Sequence, residues 1–331
     1  MTGKSVAGSK ITMDELAKLA GVSKITVSRA LRGGFPVNAD TRDRIFALAK
    51  EHGYRVNQAA RNLRLERSHT VGVIVEMHPT PDRLMSDPYP LELLGGISQT
   101  LTSRGYSLLL TTMAGKDSVA FQSAEGIILL GQGVHDAAVK ALRPIFCPLV
   151  VWGAPHEGAD YCIVGSDNYH GGSIAADRLT SLGRRRLVFL GDTRHAEVEA
   201  RFKGFQAAAE ANGARIVDSV PCPFTFTGGL EAAEGLLAQG QKFDGVLGSN
   251  DLMTMGFVRS LIEANIRVPE QVAVIGYDDT PMAATFSPAL TSVHQNWRNG
   301  GNLLAQKILQ LIAEEDVRSE MLQTSLSVRA T

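Results

Sequence analysis

The chain has 331 residues and a nearly balanced charge, with 33 Lys and Arg against 34 Asp and Glu. This length predicts a small head and one or two larger units. Cys147, Cys162 and Cys222 show no paired spacing, which argues against a disulfide framework or a cysteine zinc motif and indicates a reducing cytoplasm. No apolar run reaches the roughly 18 residues that span a membrane, and residues 1–10, which lack a signal-peptide core, are expected to form a disordered arm.

The first ordered stretch predicts two short helices joined by a tight turn. Thr12, followed three residues later by Glu15, is typical of a capping box, and the apolar residues after it recur at helical spacing. Gly21 ends this helix, and Ser23 is a suitable N-cap for the next. A third helix is expected from about residue 41 to 52. Two helices joined by a short glycine-containing turn indicate a helix-turn-helix motif.

The second helix has the pattern of a DNA-recognition helix. Its apolar residues Val27 and Ala30 point inward, so its polar and basic residues face outward. Recognition helices present their N-terminal residues to base edges in the major groove, which assigns Lys24 and Ile25 to base reading and Arg29 to a guanine or a phosphate. The DNA contacts predicted from this region are Thr12, Ser23, Lys24, Ile25, Thr26, Ser28 and Arg29, with Thr26 and Ser28 on phosphates.

Charge decides between this reading and a plain helical hairpin. Residues 1–68 hold 13 Lys and Arg and 6 Asp and Glu, a net charge of +7. Subtraction from the chain totals leaves 20 basic and 28 acidic residues for 69–331, a net charge of −8. A basic head on an acidic body is the charge distribution expected of a protein that binds nucleic-acid phosphates.

The motifs GVSKITVSRAL, VNADTRDRI, HGYRVNQAARNLR and HTVGVIV occur in the order and spacing of the lactose-repressor/galactose-repressor family, which the chain resembles from residue 11 to 331. The resemblance implies an α/β protein: a helix-turn-helix headpiece over 11–56, a hinge helix and linker over 57–68, and two doubly wound α/β subdomains of periplasmic-binding-protein type over 69–331.

The resemblance also implies that the hinge helix forms on operator DNA. Its DNA contacts would be Asn57, Arg61 and Leu63. Leu63 takes the position that wedges into the minor groove, where an apolar side chain between base steps unstacks and kinks the duplex. The alternative is an ordinary linker leucine.

Beyond residue 68, short apolar runs alternate with helical patterns, which predicts doubly wound parallel sheets. The predicted strands are 71–75, 108–110, 127–130, 149–152, 187–190, 246–247 and 272–275, with CIVG at 162–165 read in the same way. The predicted helices are 91–104, 172–182, 201–212, 230–239, 252–264 and 297–312. The stretch 112–125 is too short for a full helix and is expected to reduce one surface helix to a turn.

Polar residues directly follow several of these strands, and ligands of such sheets bind beyond the carboxyl ends of the strands. The resemblance assigns effector binding to Glu76, Tyr89, Asp167, Arg201, Phe224, Asn250 and Asp278. Carboxylates, an amide and one guanidinium suit a ligand with many hydroxyls, so a sugar is expected. The charge of Glu76 disfavours an anionic effector unless Arg201 offsets it. Asp251 and Asp279, which precede helices, are read as N-caps.

No hydrolase, zinc-protease, P-loop or paired-cysteine motif occurs, so no catalytic residue, metal ligand or cofactor is predicted. A sugar-binding protein or a carbohydrate-active enzyme is the alternative class, but neither explains the basic head. The sequence favours a repressor of carbohydrate-utilisation genes, located in the cytoplasm at the nucleoid and without a membrane role. It would bind double-stranded, pseudo-palindromic operator DNA as a homodimer under control of a sugar-like effector, and the absence of a leucine-heptad tail argues against a tetramer.

Overall fold

The computed structural model of the chain describes residues 11–32, 37–54, 67–76, 86–143, 145, 147–156 and 158–331. The chain divides into two compact units, residues 1–68 and 69–331. Each unit has its own buried core. Within the described residues no helix combines the length and the apolar character that crossing a membrane requires.

The first unit contains helices α1 (Met13–Ala20), α2 (Lys24–Arg32) and α3 (Ala39–Glu51). Leu16, Val27 and Ile45, one from each helix, are fully buried against one another. The predicted capping box is present, since the Thr12 side chain accepts from the Glu15 amide while the Glu15 carboxylate accepts from the Thr12 amide. The predicted turn at Gly21 is also present, with a left-handed φ of 62° that glycine adopts without strain.

The second unit alternates strand and helix. Its strands are β1 (Thr70–Val75), β2 (Ser107–Thr112), β3 (Gly126–Leu130), β4 (Leu149–Trp152), β5 (Cys162–Ser166), β6 (Arg186–Leu190), β7 (Arg215–Val220), β8 (Gly245–Gly248), β9 (Ala273–Asp278), β10 (Thr291–His294), β11 (Glu320–Leu322) and β12 (Ser325–Ser327). Its helices are α4 (Pro88–Ser103), α5 (Val119–Gln122), α6 (Ala137–Leu142), α7 (Asn168–Ser181), α8 (Ala196–Ala211), α9 (Phe226–Ala238), α10 (Asp251–Glu263), α11 (Pro281–Thr285) and α12 (Trp297–Ile312).

These strands form two six-stranded sheets, ordered β11-β5-β4-β3-β1-β2 and β12-β10-β9-β8-β6-β7. Every pairing is parallel except that of β12 with β10. The central strands are buried on both faces, as expected where helices cover a parallel sheet. The predicted α/β class with two doubly wound subdomains is therefore confirmed.

Three helix pairs pack at unusually short range because glycines face each other across them. In the α4–α12 pair, a Cβ on Gly96 would lie 2.2 Å from the backbone oxygen of Arg298, and one on Gly301 would lie 2.2 Å from that of Leu93. A Cβ on Gly172 in α7 or on Gly204 in α8 would likewise lie too close to the backbone of the partner helix. The same holds for Gly229 in α9 and Gly256 in α10. Only a hydrogen in place of a side chain lets these helices approach so closely.

The chain crosses between the two sheets three times in its second unit. It leaves the first sheet after β5, returns to it after β10 to build α12 and β11, and leaves again between β11 and β12. The crossing segments hold one another, because the Asp167 amide donates to the Leu322 carbonyl at 2.7 Å and Thr324 Oγ1 donates to the Asp167 carbonyl at 3.3 Å. The unit is thus two sheets joined by a compact group of linkers.

Several elements differ from the sequence predictions. The edge strand β7 and the short strands β10, β11 and β12 carry too few apolar residues to show as buried runs. Four of the six predicted helices begin three to five residues before the predicted start, the largest difference being that of α8, which begins at Ala196. The prediction for 112–125 agrees with the structure, which has a 3₁₀ turn at Met113–Gly115 and the single-turn α5 there.

Candidate recognition helix and effector cavity

The outer face of α2 has the composition predicted for a DNA-reading surface. Lys24, Ile25 and Arg29 are exposed, and Ile25 keeps 64% of its surface accessible. Val27 and Ala30 on the opposite face are buried, which fixes the helix in the first unit. Helix α2 has no acidic residue in its own first turn, which suits a helix whose N-terminus approaches DNA.

The polar residues at the start of this motif serve the helix ends. Ser23 Oγ accepts from the Thr26 amide at 3.1 Å and lies 2.8 Å from Thr26 Oγ1, which makes Ser23 the N-cap of α2. Lys24 Nζ donates to Asp14 Oδ2 at 2.8 Å, so α1 orients the lysine that is predicted to read bases. Thr12 and Ser23 thus cap helices. Their predicted contacts with DNA would have to be made by the same side chains.

Ser28 is half-buried on the same helix as Arg29. The predicted hinge contacts Asn57, Arg61 and Leu63 lie outside the described residues, and their roles stay predictions.

A cavity that is partly open to solvent lies at the carboxyl ends of strands from both sheets of the second unit. The residues that line it come from the ends of strands, from the segments that follow them, and from the first two turns of helices. They are Glu76, Asp87, Tyr89, Gly131, Trp152, Gly153, Ser166, Asn168, His195, Glu197, Arg201, Phe224, Ser249, Asn250, Asp278 and Gln295.

Arg201 is the cation at the centre of this cavity, and it is held rigidly. Its Nε donates to Asn168 Oδ1 at 2.8 Å, its Nη1 donates to the Ser249 carbonyl at 2.6 Å, and its guanidinium carbon lies 3.9 Å from the centre of the Tyr277 ring. The close α7–α8 packing positions it, because a Cβ on Gly172 would lie 1.9 Å from the Arg201 carbonyl. A buried, pre-oriented guanidinium can donate to a ligand with little loss of entropy.

Asp278 is the carboxylate opposite, at the end of β9. Its Oδ1 accepts from Gln295 Nε2 at 2.7 Å, and its φ of 113° is one that L residues rarely adopt. Burial, with the nearby Asp251 carboxylate, raises the pKa of Asp278 well above its usual range, and Arg201 only partly offsets this. Such a group gains more than an exposed one from a ligand that hydrogen-bonds to its ionised form.

Aromatic rings form the walls of the cavity. Tyr89 packs edge-on against Trp297 with ring centres 5.8 Å apart, and Phe224 packs edge-on against His195 at 5.5 Å. Trp152 also reaches the cavity and is 6% exposed. Tyr89 and Phe224 were predicted from the sequence, whereas Trp152 was read only as the end of a strand.

The structure brings six of the seven predicted effector residues to one cavity and places the seventh elsewhere. Glu76, Tyr89, Arg201, Phe224, Asn250 and Asp278 line it. Asp167 does not, because it is the N-cap of α7 and accepts from the His170 amide at 2.9 Å, and its neighbour Asn168 faces the cavity instead.

The N-cap predictions for Asp251 and Asp279 are wrong. Asn250 caps α10, while Asp251 is buried at the first helical position and accepts from the amide and hydroxyl of Thr280 and from Ser292 Oγ. Burial raises the pKa of Asp251 to about 6.

Asp279 anchors the last residues of the described chain. Its Oδ1 accepts from Arg329, and its Oδ2 accepts from Ser327 Oγ at 2.7 Å. These contacts hold the C-terminal segment on the second sheet.

Sequence reasoning missed two further acids of the cavity. Asp87 is the N-cap of α4 and accepts from the Tyr89 amide at 3.0 Å, which the Asp-Pro-Tyr-Pro order could have indicated. Glu197 lies in the first turn of α8, where acids are common, so nothing in the sequence distinguished it.

Comparisons with known proteins agree with both units. The profile of the family described as bacterial regulatory proteins, lacI family, matches residues 12–57, and that of the periplasmic binding protein-like domain matches residues 176–331. The transcriptional regulator CelR of Thermobifida fusca is 32% identical over 337 residues, covering 96% of this chain and 97% of that protein. The ribose operon repressor of Escherichia coli K12 is 28% identical, covering 94% and 96%.

Solved structures give the same fold over nearly the whole chain. A lac repressor dimer bound to operator and the anti-inducer ONPF superposes with a TM-score of 0.87 at 22% identity, covering 98% of this chain and 99% of that one. A CelR–cellobiose complex superposes with a TM-score of 0.73 at 30% identity, covering 97% and 99%. The chain therefore belongs to the LacI family of bacterial regulatory proteins, and it is a DNA-binding transcriptional regulator, not an enzyme.

Proposed function

We propose that this regulator is a repressor of carbohydrate-utilisation genes that binds a pseudo-palindromic operator as a homodimer, in the cytoplasm at the nucleoid, under control of a sugar-like effector. The observation that carries the proposal is one chain with both an exposed basic recognition helix and a strand-end cavity of acids, amides, a guanidinium and aromatic rings.

Two-fold symmetry supports the dimer, because two headpieces are needed to address two half-sites. Gel-shift titration of the full chain with a palindrome, a single half-site and a scrambled duplex tests this. Equal affinity for all three duplexes would contradict the proposal.

The recognition helix gives the first prediction. Lys24→Ala and Arg29→Ala should each weaken operator binding by about 1–3 kcal/mol, and Lys24→Ala should also relax sequence preference, because base-reading hydrogen bonds are lost. Gel-shift titration measures both effects. Lys50→Ala is the control, since it removes an equal charge from the exposed last turn of α3. Unchanged affinity and preference in both test variants would contradict the assignment of α2.

The hinge gives the second prediction, which rests on the family resemblance. Leu63→Ala should reduce operator bending and specific affinity without changing effector affinity, because the wedge between base steps is lost. Leu65→Ala is a matched control that removes the same side chain two positions away. A circular-permutation assay measures the bend. Equal bending by wild type and Leu63→Ala would show Leu63 to be an ordinary linker residue.

The lining of the cavity supports a hydroxyl-rich effector. Carboxylates such as Asp278 accept from adjacent hydroxyls, Asn250 both donates and accepts, and Arg201 donates in a fixed plane. Trp152 and Tyr89 offer apolar faces of the kind that pack on sugar rings. The family members named above are a ribose operon repressor and a protein solved with cellobiose, which is consistent with a sugar for this chain.

A further inference from the structure

We propose that the effector of this cavity carries a protonated amine in addition to hydroxyl groups, so that its ligand class is an amino sugar. The inference rests on the proposed function, because it specifies the chemistry of the same effector. It follows from the charges of the cavity, from one buried carboxylate oxygen, and from two carboxylates on opposite sides of the cleft.

Acids outnumber cations in the lining. Asp87, Glu197 and Asp278 face the cavity together with Glu76, whereas Arg201 is the only Lys or Arg among the lining residues that the structure describes. Arg201 contributes one positive charge, fewer than the number of acidic side chains around it. A phosphate or a sugar acid would add a further negative charge to a low-dielectric site, which disfavours anionic effectors.

Glu197 supplies the second observation. Its Oε2 is buried and has no hydrogen-bond partner among the described residues. A buried carboxylate oxygen that accepts no hydrogen bond destabilises the folded protein, and by more than a neutral oxygen would. Glu197 lines the cavity and is partly exposed, so a rotation of its side chain can bring this oxygen to a ligand donor, and a charged N–H donor satisfies it more strongly than a hydroxyl.

Asp87 and Asp278 supply the third observation. Asp87 caps α4 on the first sheet, Asp278 ends β9 in the second, and both line the same cavity. A ligand ammonium bound there can donate to one carboxylate from each sheet, which favours the closed arrangement that a switch requires.

A metal ion is the other cation that carboxylates could hold. No group of three or more His, Cys, Asp and Glu side chains with a ligating arrangement occurs in the described part of the chain. The side-chain amides of Asn168 and Asn250 and the aromatic walls of the cavity also suit an organic ligand. The amine is therefore the cation that the lining favours.

Calorimetry on the full chain, with matched sugars as probes, tests the proposal. The probes are glucosamine, galactosamine and mannosamine, each with its neutral parent and its N-acetyl derivative, together with gluconate and Mg²⁺. In at least one series the amino sugar should bind about tenfold or more tightly than its neutral parent, a difference of about 1.4 kcal/mol. Acetylation should remove this preference, because it abolishes the charge while keeping the nitrogen.

Asp87→Asn tests the role of the carboxylate without removing the helix cap, since an asparagine side chain can still accept from the Tyr89 amide. It should abolish the preference for the amine over the neutral parent. Glu210→Gln is the matched control, because it also removes one negative charge. Glu210 lies on α8 about 20 Å from the cavity residue Glu197, given the rise of a helix. The control should keep the full preference.

The outcomes separate this inference from the proposed function. A neutral sugar, gluconate or Mg²⁺ that binds as tightly as every amino sugar, or no binding by any amino sugar, overturns the inference. If a neutral sugar then changes operator affinity, the repressor proposal stands without the amine. If no probe changes operator affinity, the sugar-effector proposal fails as well.

Discussion

Arg201→Ala and Asp278→Ala will each give a dimer that binds its operator but no longer responds to its effector. Each change removes charge-assisted hydrogen bonds to a ligand in a desolvated cavity, and such bonds contribute about 1.5–3 kcal/mol each. We expect effector affinity to fall about 100-fold, which corresponds to about 2.7 kcal/mol. Calorimetry with the tightest-binding sugar, run with and without operator, measures the loss and the coupling between the two sites.

Lys203→Ala is the control for this prediction. Lys203 lies two residues from Arg201 on α8, but its side chain is 61% exposed and pairs with Glu199 at 2.6 Å. The Lys203→Ala variant should bind effector and release operator as the wild type does. Equal effector affinity in wild type and both test variants would show that the effector binds elsewhere. Equal effector affinity with and without DNA would show that the cavity is not coupled to operator binding.

Gly96→Ala will destabilise the second unit by about 2–3 kcal/mol, the upper range for overpacking a tightly packed contact. A Cβ at this position would lie 2.2 Å from the backbone oxygen of Arg298, and a backbone atom cannot turn aside as a side chain can. Helices α4 and α12 would have to separate, which disturbs the core of the first sheet. Denaturant unfolding measures the change.

Gly95, the residue before Gly96, provides a matched control for this prediction. It lies in the same helix, and a Cβ there would meet nothing within 4 Å. Gly95→Ala should therefore stabilise the protein by about 0.5–1 kcal/mol, because alanine loses less conformational freedom than glycine on forming a helix. Opposite signs for the two variants are the expected result. Destabilisation of similar size in both would mean that helix packing is not what requires Gly96.

The sequence predicted the parts of this molecule whose signals are local. The capping box of Thr12 and Glu15, the left-handed turn at Gly21 and the outward face of α2 all depend on residues within a few positions of one another. The buried central strands were visible because double-sided burial gives continuous apolar runs. Asp278 was noticed because it follows an apolar strand, whereas Arg201, which no local pattern distinguishes, was proposed from the family resemblance.

What the sequence could not predict depends on distant contacts. Asp251 precedes an apolar helix as an N-cap would, yet the hydroxyls of Thr280 and Ser292 draw its carboxylate into the core. Asp87 and Glu197 precede the helices predicted at 91–104 and 201–212 and drew no prediction, and only the folded chain shows that they line one cavity. Strand β11 carries too few apolar residues to be recognised and is defined by its pairing with β5.

The linkers between the two sheets limit how the second unit can respond to a ligand. The connection between β11 and β12 consists of two residues, so Leu322 and Ser325 lie at most about 10 Å apart. A second linker is tied to it by the hydrogen bond from the Asp167 amide to the Leu322 carbonyl. These linkers keep the two sheets together at this end, and they allow a rotation about an axis through the linkers. On such an axis, the displacement of any residue grows in proportion to its distance from the linkers, so a small closure at the ligand becomes a larger movement at the far edge of each sheet.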